Sequence, residues 1–408
     1  MINLDSTLGV LFKGYPNFLN QFRDHNIDIL ETRLLLRKTV VMRGEAAAAV
    51  FYDQSKFKRK GATPKRFQKT LFGQKGVQGL DGQMHLDRKR MFMQCMGQES
   101  ILQLDNIFKN NWHIAVKDWQ GRDSIKLFTE VETVLCKSAC EWVGVPLSPE
   151  EVEERTSQLS AMIDSSGAVG FRHYKGRLAR KKAEKWIENL IKNRHNRKSN
   201  EESIFSLFSE HQNSANNKLP TSVVAVEILN LLRPIVAISR YITFSALALH
   251  NYPHCANKIK KEENYLSNFV QEVRRFYPFF PFVAAVAKDD FKWNNTNFTK
   301  GERVLLDLYA TDHDEKIWQR PEDFNPDRFK NWDGSAYNLI PQGGGDHYVN
   351  HRCAGEWITI SLIKSAVELL LDINYTVPEQ DLSINMARIP AIPKSRFIIN
   401  VSPNKLAT

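Results

Sequence analysis

No stretch of the 408-residue chain reaches the roughly 18 consecutive apolar residues of a membrane-span candidate. The start, residues 1–19, also lacks the basic segment, continuous apolar core and cleavage site of a secretory signal, because Gly9, Lys13 and Gly14 interrupt Leu8, Leu11 and Phe12. Cysteine is sparse. Cys95, Cys136, Cys140, Cys255 and Cys353 form neither a dense disulfide framework nor a zinc spacing. The expected setting is therefore a reducing cytoplasm, with no transmembrane segment. Low-complexity tracts, internal repeats, zinc fingers and aromatic RNA-binding signatures are missing too. No nucleic-acid partner is expected, although Lys plus Arg number 56 against 46 Asp plus Glu, a net charge of +10. The basic residues are dispersed in short runs, at 56–60 and 177–182, that read as solvated faces.

What is present is a globular balance of 42% apolar and 25% charged residues, with Ala, Leu, Glu, Lys and Arg favouring helix. The length fits one domain over 1–408. Helical periodicity predicts helices near 84–110, 122–144, 149–164, 176–194 and 261–276, and again over 354–370. Short strands are expected near 301–309, 373–377 and 395–401, and a folded meander over 311–336. The N-terminal region reads as irregular and basic, and the polar stretch 195–219 as a surface connection. The expected class is mainly α with small β sheets. Met84, Met91, Met93 and Met96 read as core packing.

The longest apolar pattern, about 220–249, covers nearly every face of a helix and should be buried. It carries Arg233-Pro234. Proline leaves the Asn230 carbonyl without its usual partner, so a bend beside Arg233 is predicted. A buried arginine needs an anion: an internal carboxylate, Glu227 or Glu272, or a ligand's.

A second feature is the loop 341–356, where Gly343-Gly344-Gly345 precedes His351-Arg352-Cys353-Ala354-Gly355-Glu356. Three glycines let the backbone turn and approach a cofactor closely. A helix starting near Cys353 would aim amide donors at a thiolate and lower its pKa. By itself, the loop is better read as carrying a buried structural cysteine.

Taken with Glu272-Val273-Arg274-Arg275 and Pro326-Asp327-Arg328-Phe329, the run from Asn338 to Trp357 resembles the haem-thiolate cytochrome P450 superfamily. More narrowly, nearly the whole chain is similar to the bacterial fatty-acid peroxygenases. The loop before Cys353 departs from the short Phe-x-x-Gly-x-Arg-x-Cys spacing by an expansion that this branch shares. The resemblance implies the cytochrome P450 fold and a haem b whose iron is bound by Cys353. It places Arg59, His85 and Lys89 near the haem propionates, and joins Glu272, Arg275 and Arg328 in a buried network. It implies hydrogen peroxide as cosubstrate, with no obligatory reductase, and a long-chain fatty acid as substrate. Arg233 would hold the carboxylate, with Pro234 shaping the helix. Phe72, Gln78, Phe279 and Phe282 would line the pocket. Glutamine at 78, where decarboxylating relatives carry histidine, favours hydroxylation at the alpha or beta carbon over decarboxylation to a terminal alkene. Residues 168–172 either shape the entrance or simply join two helices. Reductase-dependent oxygenation and a haem- or lipid-binding sensor are the other readings left open.

Overall fold

The computed structural model describes residues 5–194 and 203–402. Of the expected surface connection 195–219, residues 195–202 lie outside the described residues. The rest forms the short helix Ile204–Glu210 and a turn closed by the Gln212–Lys218 bridge.

Helices dominate. The apolar period near 84–110 resolves into two helices, Gly82–Met93 and Gln98–Trp119, because Gly97 interrupts the run. Leu127–Val143, Val152–Asp164, Phe171–Arg194, Tyr265–Phe276 and Glu356–Asp372 follow the predicted pattern to within a turn or so. Met91 and Met96 are buried and Met93 is half-buried, whereas Met84 is exposed, on the outer side of the first turn of its helix.

Ten strands form three sheets among the described residues. They are β1 (Ile29–Leu34), β2 (Arg37–Met42), β3 (Phe57–Lys58), β4 (Ile125–Lys126), β5 (Phe282–Ala287), β6 (Phe291–Trp293), β7 (Thr296–Phe298), β8 (Arg303–Asp307), β9 (Tyr375–Thr376) and β10 (Ile398–Val401). The largest sheet runs β1-β2-β8-β5-β3, antiparallel except where β2 pairs parallel to β8. The N-terminal region is thus regular, not irregular as expected. Helices Thr7–Lys13, Pro16–His25 and Glu45–Phe51 surround a hairpin whose partner β8 is more than 260 residues away. Its charged, exposed edge residues hid the buried Val40-Val41-Met42 that pack on β8.

The central helix is the axis of the core. Thr221–Ala237 and Ser239–Asn251 form a 31-residue apolar rod, long enough to cross a membrane by composition, but 83% of its apolar window is buried inside the protein. It is a core helix. The helix runs on past Pro234, which donates no bond to the Asn230 carbonyl, and is interrupted four residues later at Ile238, whose N–H turns to the carbonyls of Ile235 and Val236. The predicted interruption is therefore real but lies one turn downstream: Pro234 keeps helical dihedrals, and the turn beyond it tightens.

Candidate active site

The chain reaches Cys353 through a loop that only glycine can build at two points. Gly343 and Gly345 have φ of 88° and 82°, and a side chain on Gly344 would meet the Ala336 carbonyl at 2.6 Å. The expansion between Gly345 and Cys353 is closed by its own side chains. Asp346 Oδ1 accepts from the amides of Tyr348 (2.7 Å) and Val349 (3.0 Å), and Asn350 Oδ1 from that of Asp346 (2.8 Å). Arg352 then turns back to the Gly345 carbonyl at 3.1 Å.

Cys353 is half-buried. Desolvation, then the Glu356 carboxylate, raises its thiol pKa above the ordinary value, against the opposing pull of Lys89, the Gly355 amide and the Gln342 side chain. The expected lowering by a helix start does not prevail, since the helix begins three residues later, at Glu356. Gln342 went unread in the sequence. Its Nε2 donates to Cys353 Sγ (3.8 Å) and to Thr359 Oγ1 (3.0 Å), so the amide is fixed against the sulfur from the next helix.

A clasp of charges supports this loop. Glu356 is buried and held well below the usual carboxylate range by Arg274, His347 and Arg352. Arg352 Nε donates to it at 2.6 Å, and Arg274 pairs with it from helix Tyr265–Phe276. On the same helix, Arg275 grips Glu272 with two parallel bonds of 2.7 and 2.8 Å and donates to the carbonyls of Asp312 and Pro321, both at 2.9 Å. Arg328 Nε completes the expected trio at 3.2 Å from Glu272. The roles of Arg274 and Glu356 had no local signal beyond the i,i+4 spacing of Arg352 and Glu356.

Arg59, His85 and Lys89 come together beside the cysteine loop. Lys89 Nζ donates to the Arg352 carbonyl at 2.5 Å, and burial lowers its pKa to about 8. His85 stacks on His351 with ring centroids 3.8 Å apart, and burial beside Lys89 lowers it to about 4, so it is neutral near pH 7. His351 was also missed. The Arg59 guanidinium lies 4.2 Å over the Phe51 ring and donates to the Ala284 carbonyl at 3.2 Å. Neither Arg59 nor Lys89 has a carboxylate within ion-pair distance among the described residues. A lone thiol offers a metal one bond, and no cluster of three or more His, Cys, Asp or Glu among the described residues could hold an ion alone. This donor set suits an iron already held in a macrocycle that carries its own carboxylates.

Arg233 is 5% exposed, on the central helix. Both carboxylates considered as partners are taken: Glu227 pairs with Arg88, and Glu272 with Arg275 and Arg328. Among the described residues one bond holds Arg233, from Nη2 to Asn230 Oδ1 at 3.3 Å, and its Nε has no acceptor. Burial, reinforced by Arg180, pushes its pKa down to about 9, while the Cys353 sulfur pulls the other way. It still carries its charge near neutral pH. Asn230, unremarked in the sequence, joins the neighbours: its Nδ2 donates to Glu227 Oε2 at 2.8 Å and to Gln78 Oε1 at 3.4 Å. Pro234 and Phe72 are half-buried, Phe72 ending the π-helical turn Gln68–Phe72. Phe279 packs edge-on to Phe280 at 4.6 Å and against Tyr241 at 4.9 Å. Phe282 does not share that environment. As the first residue of β5 it packs against Phe18 at 6.3 Å, in the cluster it shares with Ala284.

With this geometry established, comparison with known proteins is informative. The Cytochrome P450 family model matches residues 254–384. Cytochrome P450SP alpha (CYP152B1) in complex with (R)-ibuprophen is 42% identical at a TM-score of 0.95, covering 97% of this chain and 98% of that one. Cytochrome P450EX alpha (CYP152N1), wild type with myristic acid, is 42% identical at a TM-score of 0.95, covering 99% and 100%. Ligand-free cytochrome P450 OleT is 34% identical at a TM-score of 0.95, covering 99% of each chain. Curated relatives match over shorter spans: cytochrome P450 3A15 of Cavia porcellus is 32% identical over 28% of this chain and 22% of its own length. The near-complete coverage at this identity, with the glutamate–arginine network and cysteine loop in place, shows that the chain belongs to the cytochrome P450 family of haem-thiolate oxidoreductases, in its CYP152 branch.

Proposed function

We propose that this chain is a peroxygenase that uses hydrogen peroxide to hydroxylate long-chain fatty acids at the alpha or beta carbon. The observation that carries this reading is Arg233: a buried guanidinium with an orphaned Nε, no carboxylate partner among the described residues, and the Cys353 sulfur within its electrostatic reach. A buried cation without an anion is costly, and a planar guanidinium matches a carboxylate with two parallel bonds. A fatty-acid headgroup supplies that anion. Cytochrome P450EX alpha, whose structure was solved with myristic acid, adds the substrate class by likeness.

In this reading Cys353 would bind the iron of haem b, and Arg59, His85 and Lys89 would hold its propionates. His85 is neutral and contributes a hydrogen bond, while the two cations contribute charge. The bound haem supplies the oxidising chemistry. Everything else falls to the chain. Arg233 holds the substrate carboxylate, and Asn230 fixes the guanidinium plane. The held carboxylate takes a proton from peroxide and returns it to the leaving oxygen, so substrate serves as the acid–base group. Phe72 and Phe279 pack on the alkyl chain. Gln78, tied to Asn230, is amide where a histidine would titrate, which favours hydroxylation.

Purified haem-loaded protein, hydrogen peroxide and long-chain fatty acids, with products resolved by mass spectrometry and no reductase present, test this directly. Hydroxy acids are expected. Mainly terminal alkenes one carbon shorter would overturn the product assignment, and absence of turnover would favour a passive binder.

A further inference from the structure

Large apolar side chains turn outward in two places that the short segment 386–391 links. In helix Thr7–Lys13, Val10 packs inward, whereas Leu8, Leu11 and Phe12, at i, i+3 and i+4, are exposed, Phe12 by 77%. Beside it, the tip of hairpin β1–β2 presents Leu35 and Leu36, the latter 80% exposed. Both leucines have left-handed dihedrals (φ 52° and 62°), fixed by amide bonds to Thr7 Oγ1 and Asp5 Oδ2, each 2.6 Å. That conformation is costly for leucine, and so is the hydration of two isobutyl groups. Both are kept.

The second place is the start of helix Phe171–Arg194. Phe171, 82% exposed, Tyr174 and Leu178 recur at i, i+3 and i+7 along one side. Exposed Lys175, Arg177, Lys181 and Lys182 flank them, none in an ion pair among the described residues. Glu184, the one acid between 171 and 187, is taken by Arg180 at 2.7 Å. Lys13 and Arg33 play the same flanking part around the first patch. The segment 386–391 bridges the two patches. Tyr15 donates its amide to the Met386 carbonyl (3.2 Å), and Arg172 Nη2 donates to that of Ile389 (3.3 Å).

We propose that the two patches act together as a face that docks on the surface of an anionic phospholipid bilayer. The apolar side chains would enter the boundary between headgroups and acyl chains, while the unpaired cations meet lipid phosphates. A protein partner fits less well, because lysine is depleted from protein interfaces and here it rims both patches. Attachment is peripheral in this proposal, since among the described residues the one helix long enough to span is buried in the core.

The test is flotation of the haem-loaded full chain with phosphatidylcholine vesicles that contain phosphatidylglycerol, against pure phosphatidylcholine. Flotation with the anionic vesicles is expected, with partitioning at least tenfold weaker to neutral vesicles, and lost in high salt. The pairs Phe12→Ser with Leu36→Ser, and Phe171→Ser with Tyr174→Ser, should each cut anionic partitioning about tenfold or more while leaving the haem spectrum and melting temperature unchanged. Failure to float with anionic vesicles would overturn the proposal. So would flotation that survives either pair, or a dimer in light scattering that the same pairs dissolve without any lipid binding. Binding is read without peroxide or turnover, so it stands or falls apart from the reaction proposed above.

Discussion

Arg275 and Arg233 are both buried arginines on core helices, yet the protein treats them in opposite ways. Arg275 spends its guanidinium on Glu272 and on the carbonyls of Asp312, Pro321 and Asp323. Arg233 makes one long bond to Asn230 and leaves Nε without an acceptor. A cation whose fork is saturated by its own chain is part of the scaffold. One left open, at equal burial, is held for something that arrives from outside. The difference separates the scaffold network, where Glu272 answers Arg275 and Arg328, from Arg233 on the central helix, which no carboxylate among the described residues answers.

The comparison breaks most visibly on the scaffold side. Glu272→Leu leaves both Arg275 and Arg328 facing an apolar group, and removal of one partner from a buried ion pair costs about 3–5 kcal/mol. Since whole domains are stable by roughly 5–15 kcal/mol, most of the haem-loaded, folded yield should disappear. Denaturant midpoints and the recovered haem-to-protein ratio measure this. Unchanged values would show that the network is ornamental.

Arg233→Ala should behave oppositely. Truncation of one partner of a buried, hydrogen-bonded charge pair costs about 2–5 kcal/mol, so kcat/KM for a long-chain fatty acid should fall roughly 30- to 5000-fold. The ligand-free denaturation midpoint should hold or rise, because the variant no longer buries an unanswered charge. A large loss of stability with turnover preserved would make Arg233 a second Arg275, and the distinction would collapse.

Glu132 sharpens the criterion from the acidic side. It is buried near Arg240, accepts from Ser160 Oγ at 2.5 Å, and yet burial raises its pKa to about 7. An incompletely answered carboxyl can discharge itself near neutral pH, which an arginine cannot. Above an unfolded value near 4.5 the unfolded chain ionises this group first, so it weakens the fold progressively from about pH 4.5 to 7 and by a constant amount beyond. Glu132→Gln should therefore stabilise the protein at pH 8 by on the order of 2–3 kcal/mol and leave it nearly unchanged at pH 4.5. Melting temperatures at the two pH values would decide. A gain of equal size at both would assign the effect to packing.

Local chemistry made much of this legible. The all-round apolar pattern of 220–249 and the Gly-rich approach to Cys353 led to the core helix and the cysteine loop because each is encoded in contiguous residues. What stayed hidden depends on partners far along the chain. Strand β2 finds β8 across more than 260 residues, and no period within 37–42 announces a parallel neighbour. Arg274 meets Glu356 over 82 residues, and His85 on its helix stacks on His351 of the distant cysteine loop. Phe282 sits in a different cluster from Phe279 because it opens strand β5, which no period in the sequence announced. Met84 lies outside for a similar reason, one turn too early on its helix.

Asn230 is the smallest lever on the comparison and the most discriminating. It accepts from Arg233 while donating to Glu227 Oε2 at 2.8 Å, which leaves its amide little freedom to flip. Asn230→Leu keeps the volume and the Arg233 charge but removes the one bond that orients the guanidinium. Loss of a hydrogen bond to a charged group, worth about 1.5 kcal/mol, predicts KM for the fatty acid higher by roughly tenfold with kcat little changed. If Asn230 acts only through Arg233, the same substitution made on Arg233→Ala should add almost nothing, because the orientation it provides has no group left to orient. An undiminished tenfold effect in that background would place Asn230 in contact with the substrate itself, and the open fork on the central helix would then belong to two residues instead of one.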